Sequence, residues 1–71
     1  MKLSARNQFK GIVTNVNEGA VNGIVSIKVN DEIVSSTISM NAIKELGLKE
    51  GVEAVAIIKA TEVMIATEIP K

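Results

Sequence analysis

Alternation with a period of two runs through most of this 71-residue chain and constrains its fold more than any other feature. From Val21 to Asn30, residues Val21, Gly23, Val25, Ile27 and Val29 share one face, while Asn22, Ser26, Lys28 and Asn30 share the other, broken only by Ile24. Successive side chains of a strand point to opposite faces, so this stretch is predicted as a half-buried strand. Phe9 to Val16 is a second strand, with Gly11 as a point of bulging or close backbone approach. Asn17-Glu18-Gly19 supplies the turn that joins them.

Asn30-Asp31 forms the next turn, and the β-branched run from Glu32 to Ser39 is a third strand whose Ser and Thr content leaves its inward face unassigned. Ser39 or Asn41 can cap a helix of barely two turns that carries Ile43 and Leu46, with Gly47 at the left-handed position beyond its end and Leu48 following. Lys49-Glu50-Gly51 then turns the chain into a strand from Val52 to Lys59. A last strand runs from Thr61 to Ile69, before Pro70 ends pairing.

These last two runs are apolar on both faces. Val52, Ala54, Ala56 and Ile58 alternate with Val55 and Ile57, and Val63 and Ile65 alternate with Met64 and Ala66. Both faces must be covered, and with one short helix available the simplest second cover is another copy of the chain. Composition leads the same way. Hydrophobic residues make up 46% of the sequence, whereas a domain of this size hides only about 60% of the surface of its unfolded chain. Association with further copies is expected.

Eight basic and eight acidic residues leave no net charge, so no long-range field draws in nucleic acid or an acidic membrane surface. The chain lacks His, Cys, Trp and Tyr, which removes thiolate metal ligands and disulfides and suits a cytoplasmic protein. Met1-Lys2-Leu3-Ser4 leads into Arg6, Asn7 and Gln8 rather than an apolar signal core. The wholly apolar run with Val55 to Ile58 is far too short to span a bilayer. With no repeat, linker or low-complexity tract, residues 1–71 are expected to form one domain.

What remains for chemistry is hydrogen-bond donors. Ser4-Ala5-Arg6-Asn7 precedes the first strand and Lys59-Ala60-Thr61 precedes the last, so both ends place donors at strand mouths, as an oxyanion site would require. Strand, strand, strand, short helix, strand, strand is also the order of an all-β, five-stranded OB-type barrel with its helix between strands three and four.

The opening Ser4-Ala5-Arg6-Asn7-Gln8, Ser39 ahead of Ile43 to Leu48, and Lys59-Ala60-Thr61-Glu62-Val63-Met64-Ile65 together resemble the molbindins. These are small molybdenum-pterin-binding or molybdate-binding proteins built on a TOBE domain. The similarity runs in order from about Met1 to Ala66. It implies a cytoplasmic protein that stores or buffers molybdate, and tungstate with it. It also implies a hexamer built as a trimer of dimers with exchanged strands, binding oxyanions at subunit interfaces. Delivery of the anion to molybdenum-cofactor enzymes is a compatible role. A pterin-bound form of the metal is the less favoured ligand, because a small donor-only site suits the bare anion.

Molybdate is a tetrahedral dianion with acceptors and no donor, and it leaves water cheaply only if nearly every oxygen receives a hydrogen bond. By the resemblance, Ser4, Arg6, Lys59 and the backbone N–H of Ala60 supply donors, and Ser39 adds its hydroxyl from a neighbouring subunit. A helix N-terminus at Ser39 would add unpaired amides. Relatives commonly carry a second small hydroxyl residue three positions after Ser39, where this chain has Ala42, so one donor is missing. A second anion site, made mainly of backbone groups, is assigned to Gly19, Ala20 and Val21.

Taken singly, each of these residues has an ordinary reading: Arg6 and Lys59 as solvated charges, Ser39 as a helix cap, Met64 as core filling. Only the joint pattern changes that. OB folds also bind single-stranded nucleic acid, but through stacked aromatics along a basic groove, and Phe9 is the one aromatic here. Ser35, Ser36 and Thr37 have no His to activate them, so an enzyme is not expected. A structural module that docks a partner is a further alternative.

Overall fold

The computed structural model describes residues 6–68. It contains strands β1 (Asn7–Asn17), β2 (Asn22–Val29) and β3 (Glu32–Ser39), helix α1 (Met40–Leu46), strand β4 (Glu53–Ile58) and a single 3₁₀ turn at Ala60–Glu62. The strands form one antiparallel sheet in the order β3-β2-β1-β4.

β1 is the axis of the sheet because it changes partner along its length. Asn7 to Ile12 pair with β4, whereas Ile12 to Asn17 pair with β2. Serving both neighbours curls the sheet into a half-barrel. Two local devices allow the curl. The register slips between Val13 and Asn15, a bulge that strengthens local twist. Gly11 lets the backbones close in, since a Cβ there would strike the Lys28 carbonyl. The sequence offered bulge or close approach for Gly11; it is the close approach, and the bulge falls at Thr14.

The faces follow the predicted alternation. Gly23, Val25 and Ile27 of β2 point inward and are buried, and Val13, Ile43 and Ala56 complete the core. Val34 and Ile38 pack against it, which assigns the inward face of β3 that its polar composition had hidden. Gly23 is the seat of the helix: a Cβ there would lie 2.7 Å from Ile43 Cδ1 and 3.0 Å from Met40 Sδ. The expected turn at Asn30-Asp31 forms, with Asn30 at φ 55, whereas Asn17 stays in β1 and the β1–β2 connection runs over residues 18–21.

α1 is bounded as its residues require. Ser39 Oγ accepts from the Ala42 amide at 3.0 Å, so Ser39 rather than Asn41 is the cap. At the far end Gly47 is left-handed at φ 64. Its N–H donates to Lys44, and the Leu48 N–H donates to Ile43. This is the paired bonding of a Schellman motif.

The predicted fifth strand, Thr61 to Ile69, does not form among the described residues, so the five-stranded barrel is corrected to a four-stranded half-barrel. After the 3₁₀ turn, residues 63–68 carry no regular structure. Met64 is 93% and Ile65 86% exposed; Ile69 and Pro70 lie outside the described residues. The physical reason is the lack of a ladder, since a segment apolar on both faces needs a partner edge and a cover, and the segment lies against neither. β3 and β4 are consequently open edges flanking a trough of about 660 Å³, lined by Val34, Ile38, Leu46, Leu48 and Ala56. Among the described residues no helix is long and apolar enough to cross a membrane.

Candidate functional site

Arg6 and Lys59 meet at one end of the β1–β4 ladder. The terminal pair is Asn7 opposite Ile58, and one further step along each chain arrives at Arg6 and Lys59. Both are exposed. Two cationic donors are thereby set at one strand mouth, where an acceptor-only anion could receive charge-assisted hydrogen bonds. The Asn7 side-chain amide donates to the Ile58 carbonyl at 3.1 Å and ties the two strands immediately inside this pair.

Ala60 follows Lys59 and opens the 3₁₀ turn. The bonds of that turn are Glu62 N–H to Lys59 and Val63 N–H to Ala60, at 2.9 and 3.3 Å. Both start beyond the Ala60 and Thr61 amides, so the turn itself uses neither of these donors. Ala60 thus brings a backbone N–H to the same strand mouth as Arg6 and Lys59. Ser4, the remaining predicted donor of this group, lies outside the described residues.

Ser39 stands elsewhere. β3 runs away from the Arg6 end, and Ser39 pairs with Asn22 at the opposite end of the sheet. Its hydroxyl accepts from the Ala42 N–H, which leaves its own O–H available to donate. Cap and donor are therefore compatible roles. The exposed turn with Gly19, Ala20 and Val21 lies beside it, because the Met40 N–H donates to the Val21 carbonyl at 2.8 Å. Two groups result: Arg6, Lys59 and Ala60 at one end, and Ser39 with Gly19 to Val21 at the other. The 11 residues of β1 separate them, a path on the order of 30 Å at the usual strand rise. One copy of the chain cannot close both groups around one small anion.

Sequence reading missed Asn7 as anything more than part of a motif. The signal was its place between Arg6 and the first strand, where an amide side chain can fasten a fraying ladder.

Comparison with known proteins places the fold and sequence in a family. The TOBE domain family matches residues 3–65. The probable molybdenum-pterin-binding protein of Haemophilus influenzae is 54% identical over 69 residues, covering 96% of this chain and all of that protein. Among solved structures, MopII from Clostridium pasteurianum superposes with a TM-score of 0.88 at 40% identity, covering 93% of this chain and 100% of that one. A molybdate binding protein from Sporomusa ovata superposes with a TM-score of 0.90 at 25% identity, covering 94% and 100%. Motif, half-barrel and near end-to-end similarity converge, and the chain belongs to the TOBE domain family.

Proposed function

We propose that this chain binds molybdate, and tungstate with it, as a bare dianion held between copies of itself, and that it stores or buffers the anion in the cytoplasm. The observation that carries this reading is the convergence of Arg6, Lys59 and the Ala60 amide at one strand mouth. A cationic fork, a compact ammonium and a backbone N–H suit an acceptor-only ligand, at about 1.5–3 kcal/mol for each charge-assisted bond. Ser4 joins them in this proposal. Ser39 of a second copy completes the cradle, which accounts for its distance within one chain. Gly19, Ala20 and Val21 form a second anion contact through backbone N–H groups of their exposed turn. Donors of these kinds favour the bare oxyanion over molybdopterin. The chain acts as a binding protein rather than an enzyme, with delivery to molybdenum-cofactor enzymes as an onward step.

The assembly that fits is a hexamer, a trimer of dimers with exchanged strands, in which residues 1–71 form one domain. Its support is the pairing left undone in a single chain. β3 and β4 present open edges beside an apolar trough, and the segment with Val63, Met64 and Ile65 has apolar side chains in solvent. Strand addition by that segment from a second copy would satisfy both.

The test is parallel titration with molybdate and sulfate under native mass measurement, which counts anions and subunits together. Molybdate bound in several copies per multi-subunit assembly is the expected result. An assembled protein that takes up neither anion contradicts the proposal.

A further inference from the structure

We infer that Asn7 is a positioning residue of the anion site, an assignment that rests on the proposed binding of molybdate at Arg6 and Lys59. Asn7 is half-buried, and its side-chain amide donates to the Ile58 carbonyl across 51 positions of sequence. That bond closes the last pair of the β1–β4 ladder. Beyond it β1 gives way to a bend at Arg6, and β4 to the 3₁₀ turn that begins at Ala60. Ladder ends fray, because their final groups have pairing on one side only. Here the fraying point would be the very pair that carries both cations.

The Asn7 bond opposes that fraying. Its donor is directed at a backbone carbonyl, so Asn7 acts through the strands that hold Arg6 and Lys59. A fixed gap between two charged donors is also what lets a site prefer one tetrahedral dianion over a smaller one. Releasing the gap should therefore alter selectivity as well as affinity, whereas a general loss of stability weakens both anions alike.

Calorimetry on the full chain compares wild type with Asn7→Ala and with Asn15→Ala, an exposed residue of the same strand that belongs to neither donor group. Asn7→Ala should lose roughly tenfold in molybdate affinity, the scale of one hydrogen bond, and its ratio of molybdate to sulfate affinity should change several-fold. Asn15→Ala should keep both values. Light scattering reports whether each variant assembles; if Asn7→Ala does not, Asn7→Ser, with its shorter donor, is read the same way. Wild-type affinity and ratio in the Asn7 variant overturn the assignment. So does an equal weakening of both anions in step with a lowered melting temperature. A wild-type chain that binds neither anion instead sinks the proposed function, a result visible before any variant is compared.

Discussion

Arg6 and Lys59 are separated by most of the sequence, and the β1–β4 ladder makes them neighbours. Both are exposed and neither contributes to the core of Val13, Val25, Ile27, Ile43 and Ala56. Replacing Arg6 should therefore leave the fold intact, since surface substitutions away from caps and cores usually cost little. Arg6→Ala is predicted to abolish most molybdate binding while the assembly persists. Calorimetry on the assembled variant checks this, and binding at full affinity would contradict a ligand role for the guanidinium.

At the scale of elements, α1 and the segment after β4 behave oppositely, and the difference lies in where each finds its partners. α1 has only 7 residues, too few for a helix to stand alone. It is held by the Ser39 cap, by the Gly47 termination and by the hollow that Gly23 leaves beneath Ile43 and Met40. Ser39 caps α1 and, in the proposed site, donates to the anion, two roles that substitution can separate. Ser39→Asp retains a good cap but sets a negative charge where a dianion must sit. Its unfolding stability without anion should stay within about 0.5 kcal/mol of wild type, while molybdate affinity collapses. Ser39→Ala should lose affinity and also about 1 kcal/mol of stability. Denaturant titration beside calorimetry distinguishes the two, and undiminished binding by Ser39→Asp would remove Ser39 from the site. The segment from Val63 onward has no such local support. It is apolar on both faces, yet a strand is completed by an edge to pair with, and among the described residues the edges of β3 and β4 stay open.

The whole molecule leaves much of its apolar material outside. Ten large hydrophobic residues are exposed among the described ones, from Phe9 and Ile12 to Met64 and Ile65. A chain of this length has little stability to spare, so dilution is predicted to yield no stable folded monomer. Light scattering that finds a folded species at 7.5 kDa would refute this. If the proposed donors for one anion are divided between the two ends of the sheet, ligand and assembly are linked: molybdate should let the assembly survive greater dilution, by the ordinary effect of a ligand that binds one state alone. Sedimentation across a dilution series, with and without molybdate, measures that shift.

Much of this was readable from residue order. Period-two alternation located β1 and β2, a β-branched run β3 and a two-faced apolar run β4; Ser39 and Gly47 bounded the helix, and the Ser-Ala-Arg-Asn and Lys-Ala-Thr motifs flank the strand mouth beyond Asn7 and Ile58. These are local properties, set by side-chain alternation, capping and backbone preference within a few positions. Tertiary structure alone decided that the inward face of β3 is Val34 and Ile38, that Asn7 fastens Ile58, that Ser39 lies at the opposite end from Lys59, and that the last apolar run stays unpaired. Pairing and register depend on which strand lies alongside which, and a sequence states what a strand can bury without stating what will lie next to it.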